Sequence, residues 1–314
     1  MGLADKVEGC ILGGALGDGY GGPYEGKRAP FPIREPSSLV ISDDTQLTLA
    51  TCEAIIESQV ISPEYISTKF ISWYRSGQIK NVGSSTKKAL SELSAGAHWA
   101  LSGRRGEMAA GNGAAMRIAP LAFCLGLHDP AKRRIFRDVC RITHHSEEAY
   151  AGALAVAVAI RAACRGSWTP RTGLLELVIT ATPDTSVRGR LVDIRRDYSA
   201  APLSEIAARF GATGYVVDSV PLAIAGAERV WGLGFKGVLA QLVLAGGDTD
   251  TIAAIAGQIM GALIGKSELP TDFVRMLVGR AQIEERATAF GRTVEDRFAE
   301  EIKSGLVAQH TDGN

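Results

Sequence analysis

The sequence predicts an all-α fold in a single compact domain. Apolar residues recur with the helical period over long segments rich in Ala, Leu and Ile, strand-like alternation is sparse, and no linker or internal repeat divides the chain. With 314 residues, 46% of them apolar and 22% charged, the chain has the composition of an ordinary globular protein. We place the domain at residues 1–305 and expect a disordered tail at 306–314.

The helical period defines the predicted elements in order. A first helix at 3–18 contains several glycines, which imply close packing against another backbone because glycine in a helix interior otherwise lowers stability. A glycine-rich loop is predicted at 17–26, and an irregular connection with three prolines at 27–38. Further helices are predicted at 45–58, 63–75, 86–94, 118–125, 130–142, 147–164, 172–180, 203–209, 217–230, 235–245, 252–264, 271–290 and 293–303, with the rest of 165–200 irregular.

Charge, hydropathy and cysteine content argue against several classes of function. The 34 basic and 34 acidic residues cancel, so no general electrostatic attraction to nucleic acid or to an anionic membrane is expected. The longest apolar run, 149–159, is too short to span a bilayer. The N-terminus makes a poor signal peptide, and five cysteines without a C-x-x-C motif fit reduced core thiols. We therefore expect a cytoplasmic protein, and we take a monomer as the starting expectation because the sequence does not fix the oligomeric state.

Two short acidic stretches, far apart in the chain, each follow an apolar run and precede a helix. They are Ser42-Asp43-Asp44-Thr45 and Gly246-Gly247-Asp248-Thr249-Asp250-Thr251. Carboxylates at a helix start can serve simply as caps, and this reading stays open for either stretch alone. Packing several carboxylates beside a core is costly unless a cation or hydrogen bonds compensate them. If the two stretches meet, they form an all-oxygen site of the kind that Mg²⁺, Mn²⁺ or Ca²⁺ favours.

Three further candidates lie outside these stretches. Glu25 ends the glycine-rich loop, where a P-loop is rejected because no strand precedes it and no Gly-Lys-Ser/Thr follows. The glycines that flank Asn112 would let a ligand approach the backbone, although an ordinary turn before a buried helix fits equally well. His144 follows a helix, a position where histidine is more often structural than catalytic, and the histidine spacing matches no zinc motif.

Together these motifs resemble the ADP-ribosylglycohydrolase family. The matching segments occur in the family's order within residues 10–265, at 13–18, 42–45, 111–117, 143–144 and 247–251. The resemblance implies an orthogonal multi-helix bundle that holds a dinuclear centre of Mg²⁺ or Mn²⁺. The metal ligands that it implies are Ser42, Asp43, Asp44, Asp248, Asp250 and Thr251.

The resemblance also implies a reaction. A metal-activated water would cleave the bond between C1″ of ADP-ribose and a protein side chain, with arginine as the leading linkage and serine-linked or O-acetyl-ADP-ribose left open. The partners would be an ADP-ribosylated protein and the product ADP-ribose. A hydrolase that reverses a toxin's ADP-ribosylation would use the same site. The implied proton-transfer residues are Asp43, Asp44 and Glu25, and the implied substrate-binding residues are Gly83, Ser84, Gly111, Asn112, Gly113 and His144.

Two features depart from the family pattern. The family's loop reads Asp-Ile-Gly-x-x-Thr, whereas this chain has Asn81 in place of the acidic residue, and an amide cannot take up a proton. This favours an alternative function, a catalytically silent ADP-ribose-binding protein, although the intact aspartates of both acidic stretches argue against it. The connection between Glu25 and Ser42 is also short.

Overall fold

The computed structural model describes residues 1–106 and 109–303, and this part of the chain folds as fifteen α-helices. The named strands in the described part are β1 (Arg104–Arg105) and β2 (His144–His145), which form one short parallel pair. The predicted all-α fold is therefore confirmed. The tail predicted at 306–314 lies outside the described residues. The single domain, the monomeric state and the cytoplasmic location stay predictions.

Most helices begin and end within three residues of the predicted bounds. They are α1 (Leu3–Gly21), α2 (Asp43–Glu57), α3 (Pro63–Arg75), α4 (Ser84–Ser94), α5 (Ala119–Cys124), α6 (Pro130–Arg141), α7 (Glu147–Arg165), α8 (Leu174–Ala181), α9 (Ser186–Asp197), α10 (Leu203–Phe210), α11 (Val216–Ala227), α12 (Val230–Leu244), α13 (Thr249–Ile264), α14 (Thr271–Met276) and α15 (Arg280–Lys303). None of the described helices is both long and apolar enough to cross a bilayer. The five cysteines are buried and free, as predicted.

Helices α1 and α13 form the centre of the fold and pack backbone against backbone. A Cβ atom at Gly17 would overlap the carbonyl oxygen of Ala253, so a larger residue there would force the two helices apart. The close packing predicted from the glycines of α1 is therefore confirmed. Because the contact extends to the last turn of α1 and the first turn of α13, it brings Asp18 close to Asp250.

The same packing explains why the prediction for residues 17–26 was wrong. Helix α1 continues to Gly21, and the chain leaves it through a single 3-10 turn at Gly22–Tyr24. A Cβ atom at Gly21 would overlap the carbonyl oxygen of Thr249, so this glycine serves helix packing and does not begin a loop. Tertiary contact therefore overrides the low helix propensity of the glycine-rich segment.

Two further predictions were wrong in the second half of the chain. Helix α9 lies in a segment predicted to be irregular, where Val187, Leu191 and Ile194 form a narrow buried stripe on an otherwise charged helix. The sequence predicts helices at 271–290 and 293–303, whereas the structure places the break between α14 and α15, at Gly279. The φ of 73° at this residue lies in the left-handed region, which glycine adopts most readily. From there α15 runs unbroken to the end of the described chain.

Candidate active site

The two acidic stretches meet at one point, together with the end of α1. Asp18 of α1, Asp44 of α2 and Asp250 of α13 each place a carboxylate oxygen within 4.8 Å of the other two. A second set consists of Glu25, Asp248 and Asp250, whose oxygens also lie within 4.8 Å of one another. Asp250 is common to both sets, so the structure forms two adjoining carboxylate clusters.

Helix capping accounts for only part of this arrangement. Ser42 is the N-cap of α2, and its Oγ accepts a hydrogen bond of 3.3 Å from the backbone N–H of Asp44. Asp248 occupies the corresponding position before α13, but its side chain makes no capping hydrogen bond. The capping hypothesis thus explains the hydroxyl of the first stretch and leaves the carboxylates unexplained.

Asp18 is a site residue that the sequence reasoning missed. It is fully buried, and its carboxylate accepts hydrogen bonds from the backbone N–H groups of Ser42 at 3.0 Å and Thr45 at 3.2 Å and from the Thr45 hydroxyl at 2.5 Å. These bonds join α1 to the first turn of α2. The available signal was a single carboxylate near the end of an apolar, glycine-rich helix, where burial demands partners.

Two of the clustered carboxylates each keep a buried oxygen without a hydrogen-bond partner. These atoms are Oδ1 of Asp44 and Oδ1 of Asp250. The other oxygen of Asp44 accepts hydrogen bonds from Ser42 Oγ at 3.0 Å and Thr251 Oγ1 at 3.3 Å. Orphaned buried polar atoms are rare and costly. Anionic oxygens that lack protein donors are suitable ligands for hard divalent cations, so the residues fit such a metal.

Burial and mutual repulsion raise the pKa values of these carboxylates. Burial is the largest cause at Asp43, whose pKa rises to about 7, and at Asp250, whose pKa rises to about 9 with a further contribution from the charge of Asp248. Burial followed by repulsion from Asp18 and Asp250 also raises the pKa of Asp44 well above its usual value. In the absence of a cation, the clusters therefore resist full ionisation at neutral pH.

A cavity of about 1090 Å³, here called cavity A, opens beside the carboxylates. Asp43, Asp44, Asp248, Asp250, Thr251 and Glu25 all line it. Every substrate-binding residue implied by the family resemblance also lines it: Gly83, Ser84, Gly111, Asn112, Gly113 and His144. Among the predicted site residues, Ser42 does not line this cavity.

Asp43 differs from its neighbours because it belongs to neither carboxylate set. The backbone of Gly83, the residue that precedes α4, favours the ionised form of this carboxyl group and partly offsets the rise in its pKa. The side chain lies in the wall of cavity A, which Gly83 also lines. A carboxyl group with a pKa of about 7 in such a wall can exchange a proton near neutral pH.

Asn112 uses its hydrogen-bond donors within the protein. Its side-chain nitrogen donates to Oδ2 of Asp248 at 2.7 Å and to Oγ of Ser219 at 3.2 Å, and its backbone N–H donates to the carbonyl of Gly214 at 3.0 Å. Asn112 therefore fixes the orientation of Asp248. The backbone N–H of Asn112 is therefore not free to donate to a phosphate group of a ligand.

The glycines beside Asn112 have a packing role. A Cβ atom at Gly111 would lie 2.9 Å from Nε2 of His144, and one at Gly113 would lie 2.7 Å from Cε1 of the same ring. Both distances are too short for a real Cβ contact, so the imidazole ring fits only because these positions are glycine. Glycine at both positions thus leaves room for the His144 ring in the wall of cavity A. The sequence analysis considered a close ligand approach or an ordinary turn at these glycines, and did not predict this packing role.

A short buried relay determines the tautomer of His144. Arg117 Nη2 donates to Thr143 Oγ1 at 2.8 Å, and the same oxygen lies 2.8 Å from Nδ1 of His144. Thr143 is fully buried, and its hydroxyl proton has no other acceptor among the described residues. The hydroxyl must therefore donate to Nδ1, which leaves the proton of the neutral ring on Nε2. Burial, aided by repulsion from Arg117, lowers the pKa of His144 to about 3, so the ring stays neutral.

We expect Thr143→Val to release this control of the tautomer, because valine keeps the volume but cannot donate to Nδ1. Long-range ¹⁵N–¹H spectra should show the Nε2–H tautomer in the wild type and in Thr143→Ser, and a mixture of tautomers in Thr143→Val. The exposed His98 serves as an internal control. A proton on Nδ1 in the wild type would contradict the assignment.

Asn81 lies where cavity A meets a second cavity. Its φ of 58° falls in the left-handed region, which asparagine tolerates better than most residues. The second cavity, cavity B, measures about 740 Å³ and shares Glu25, Lys27, Asn81 and Asp250 with cavity A. Ser42 also lines cavity B. The two cavities therefore adjoin at the second carboxylate set.

Comparison with known proteins gives consistent matches over nearly the whole chain. A family model described as ADP-ribosylglycohydrolase matches residues 1–304. ADP-ribosylarginine hydrolase Tri1 of Serratia proteamaculans is 27% identical over 302 residues, covering 89% of this chain and 77% of the relative. ADP-ribosylhydrolase ARH3 of Xenopus tropicalis is 24% identical over 314 residues, covering 85% and 89%. A solved structure described as an ADP-ribosylglycohydrolase-related protein complex superposes with a TM-score of 0.73 at 28% identity, covering 93% of this chain and 99% of that one.

Proposed function

The chain belongs to the ADP-ribosylglycohydrolase family, and we propose that it releases ADP-ribose from a modified protein side chain. The leading proposal for the modified residue is arginine, with two divalent cations as cofactors. The observation that carries this proposal is the convergence of two carboxylate sets on Asp250 beside cavity A. Similarity to a relative described as an ADP-ribosylarginine hydrolase supports the arginine linkage.

The residues suited to hold the cations are the two carboxylate sets. Asp18, Asp44 and Asp250 would form one site, and Glu25, Asp248 and Asp250 the other. Mg²⁺ or Mn²⁺ bound there would fix the ribose hydroxyl groups and lower the pKa of a water molecule. Asn112 would hold Asp248 in place through its 2.7 Å hydrogen bond, and the hydroxyls of Ser42 and Thr251 would orient Asp44.

Asp43 is the best candidate to move the proton. It lines cavity A and belongs to neither carboxylate set. Its carboxylate can accept a proton from water and pass it to the departing nitrogen. Asn81 stands at the position of the acidic residue in the family's loop, and its amide cannot take up a proton. Proton transfer in this chain therefore does not go through position 81.

ADP-ribose itself would lie in cavity A. The N-terminus of α4 forms part of the wall at Gly83 and Ser84. Its N-cap residue makes no side-chain capping hydrogen bond, and the helix dipole favours the negative diphosphate there. The Nε2–H group of His144 supplies a donor to a phosphate or ribose oxygen. Because the donors of Asn112 are already used, this residue acts by positioning Asp248.

The proposal is tested by measuring the release of ADP-ribose from an arginine-ADP-ribosylated protein in Mg²⁺, in Mn²⁺ and in EDTA. We expect release with either metal, none in EDTA, and recovery when metal is added back. No release, with ADP-ribose still bound in calorimetry, would favour the catalytically silent binding protein or another linkage. A serine-ADP-ribosylated protein, measured in parallel, separates those two outcomes.

A further inference from the structure

Cavity B lies next to the proposed reaction centre but contains none of the residues proposed to bind ADP-ribose. It meets cavity A at Glu25, Lys27, Asn81 and Asp250, and the rest of its wall comes mainly from the chain between α1 and α2. When the bond to be cleaved lies at the carboxylate sets and ADP-ribose lies in cavity A, the modified protein side chain needs a separate space on the other side of that bond. Cavity B provides that space directly beside the second set.

We propose that cavity B receives the modified side chain of the substrate protein, and that Glu35 together with the ring of Phe31 selects a guanidinium group. This inference rests on the proposed function. It assigns the arginine preference to residues outside the metal-binding and ADP-ribose-binding sites.

The wall of cavity B has the chemistry that a guanidinium group needs. Glu35 lines it, and within the described residues its carboxylate makes no hydrogen bond or ion pair; Glu25 lines it too, but is assigned to the second cation site. Phe31 is half-buried beside them and stacks on Tyr24 with ring centroids 5.4 Å apart. Arginine pairs with carboxylates through its planar fork and packs against aromatic rings, whereas a serine side chain presents no charge to such a wall.

Two basic residues also line cavity B. Lys27 places its Nζ 4.8 Å from the centroid of the Tyr24 ring, so that ring already has a cation of the protein, whereas no cation of the described residues lies over the Phe31 ring. Arg34 is exposed, and its backbone is used to fix the wall. Neither residue makes an ion pair with Glu25 or Glu35.

The wall is held in place by the rest of the fold. The backbone N–H of Arg34 donates to the Tyr24 hydroxyl at 2.8 Å, which fixes the chain over the stacked rings. Further along, the N–H of Leu39 donates to the carbonyl of Met276 at 2.9 Å, and the N–H of Val278 donates to the carbonyl of Leu39 at 2.9 Å. A preformed wall can recognise a side chain without the cost of first ordering a loop.

The proposed reaction keeps the same charge in cavity B from substrate to product. The bond between C1″ and the arginine nitrogen breaks, and a bond from the water oxygen to C1″ forms. One proton of the water stays on the new hydroxyl group, and the other moves to the departing nitrogen. Arginine was a cation before cleavage and leaves as a guanidinium, so Glu35 has a positive partner throughout.

The test compares Glu35→Gln with Glu295→Gln, an exposed glutamate on α15 that lines neither cavity. We expect Glu35→Gln to raise KM for an arginine-ADP-ribosylated peptide about fivefold, the upper end of what one exposed ion pair contributes. Its affinity for free ADP-ribose and its activity on a serine-ADP-ribosylated peptide should equal those of the wild type. Glu295→Gln should change none of the three.

The outcomes separate this inference from the proposed function. Release by the wild type with the same KM in both variants would overturn the arginine subsite and leave the hydrolase intact. Weaker binding of free ADP-ribose to Glu35→Gln would also overturn it, because cavity B would then belong to the ADP-ribose site. If the wild type releases nothing from either peptide, the proposed function itself fails, and the subsite fails with it.

Discussion

Asp250→Asn should lower the rate of ADP-ribose release by about a thousandfold or more while the helical fold survives. The reason is that Asp250 is the one residue shared by both carboxylate sets, so its loss removes a ligand from each proposed metal site. The fold should tolerate the change because asparagine keeps the shape and removes a charge that burial and Asp248 already disfavour. The rate is measured on an arginine-ADP-ribosylated protein and the fold by circular dichroism.

The matched control is Asp184→Asn, which removes an equivalent charge from a fully exposed position beside α9. It should behave as the wild type in both measurements. Asp44→Asn should resemble Asp250→Asn, since Asp44 also keeps a buried, partnerless oxygen. Full activity of Asp250→Asn after removal of metal would contradict the dinuclear proposal.

The metal-free protein should become less stable as the pH rises from 6.5 to 8.0. The pKa of Asp250 is raised from 3.8 to about 9 in the fold, so the folded state keeps a proton that the unfolded chain has released. A raised carboxyl pKa therefore contributes stability that is complete below pH 3.8 and is lost progressively as the pH approaches 9. The upper limit is about 1.4 kcal/mol per pH unit for each group that stays protonated.

This pH dependence is measured by thermal unfolding in EDTA. Asp250→Asn should show a shallower slope than the wild type, because its side chain does not titrate. Mn²⁺ should reverse the slope of the wild type, since metal binds the ionised carboxylates and gains affinity as they lose protons. The pKa of His144 is lowered to about 3 in the fold, so its ring is neutral there but partly protonated in the unfolded chain near pH 6.5. This contributes an opposing slope at the lower end of the range, and because it is the same in the wild type and in Asp250→Asn it cancels in the comparison of the two proteins. Equal slopes in the wild type and the variant would contradict the role given to Asp250.

The parts of the site that are local in sequence were predictable. The acidic stretches at 42–45 and 248–251 lie where α2 and α13 begin, and a helix start is visible in a sequence as the junction of a turn and a periodic segment. Their convergence was a condition of the argument from the cost of burying carboxylates, and it was implied by the family resemblance. The close packing of α1 was also predictable, because its glycines had no other evident purpose.

The parts that depend on contacts between distant segments were not predictable. Asp18 reaches Ser42 and Thr45 only because α1 and α2 meet in the fold, and no sequence spacing encodes that meeting. Likewise, Asn112 donates to Asp248 across 136 positions, a contact that no sequence spacing indicates. Cavity B is formed mainly by the irregular segment between α1 and α2. In such a segment neither hydrophobic periodicity nor secondary-structure propensity indicates which side chains lie close together.

The central claim is that the carboxylates of this site bind two divalent cations for hydrolysis, and the most direct test counts the bound ions. Equilibrium dialysis with Mn²⁺, combined with electron paramagnetic resonance, gives both their number and their proximity. We predict two coupled Mn²⁺ ions per chain in the wild type and a loss of coupled binding in Asp250→Asn. A wild-type protein that binds no Mn²⁺ or Mg²⁺ and still releases ADP-ribose in EDTA would contradict the claim.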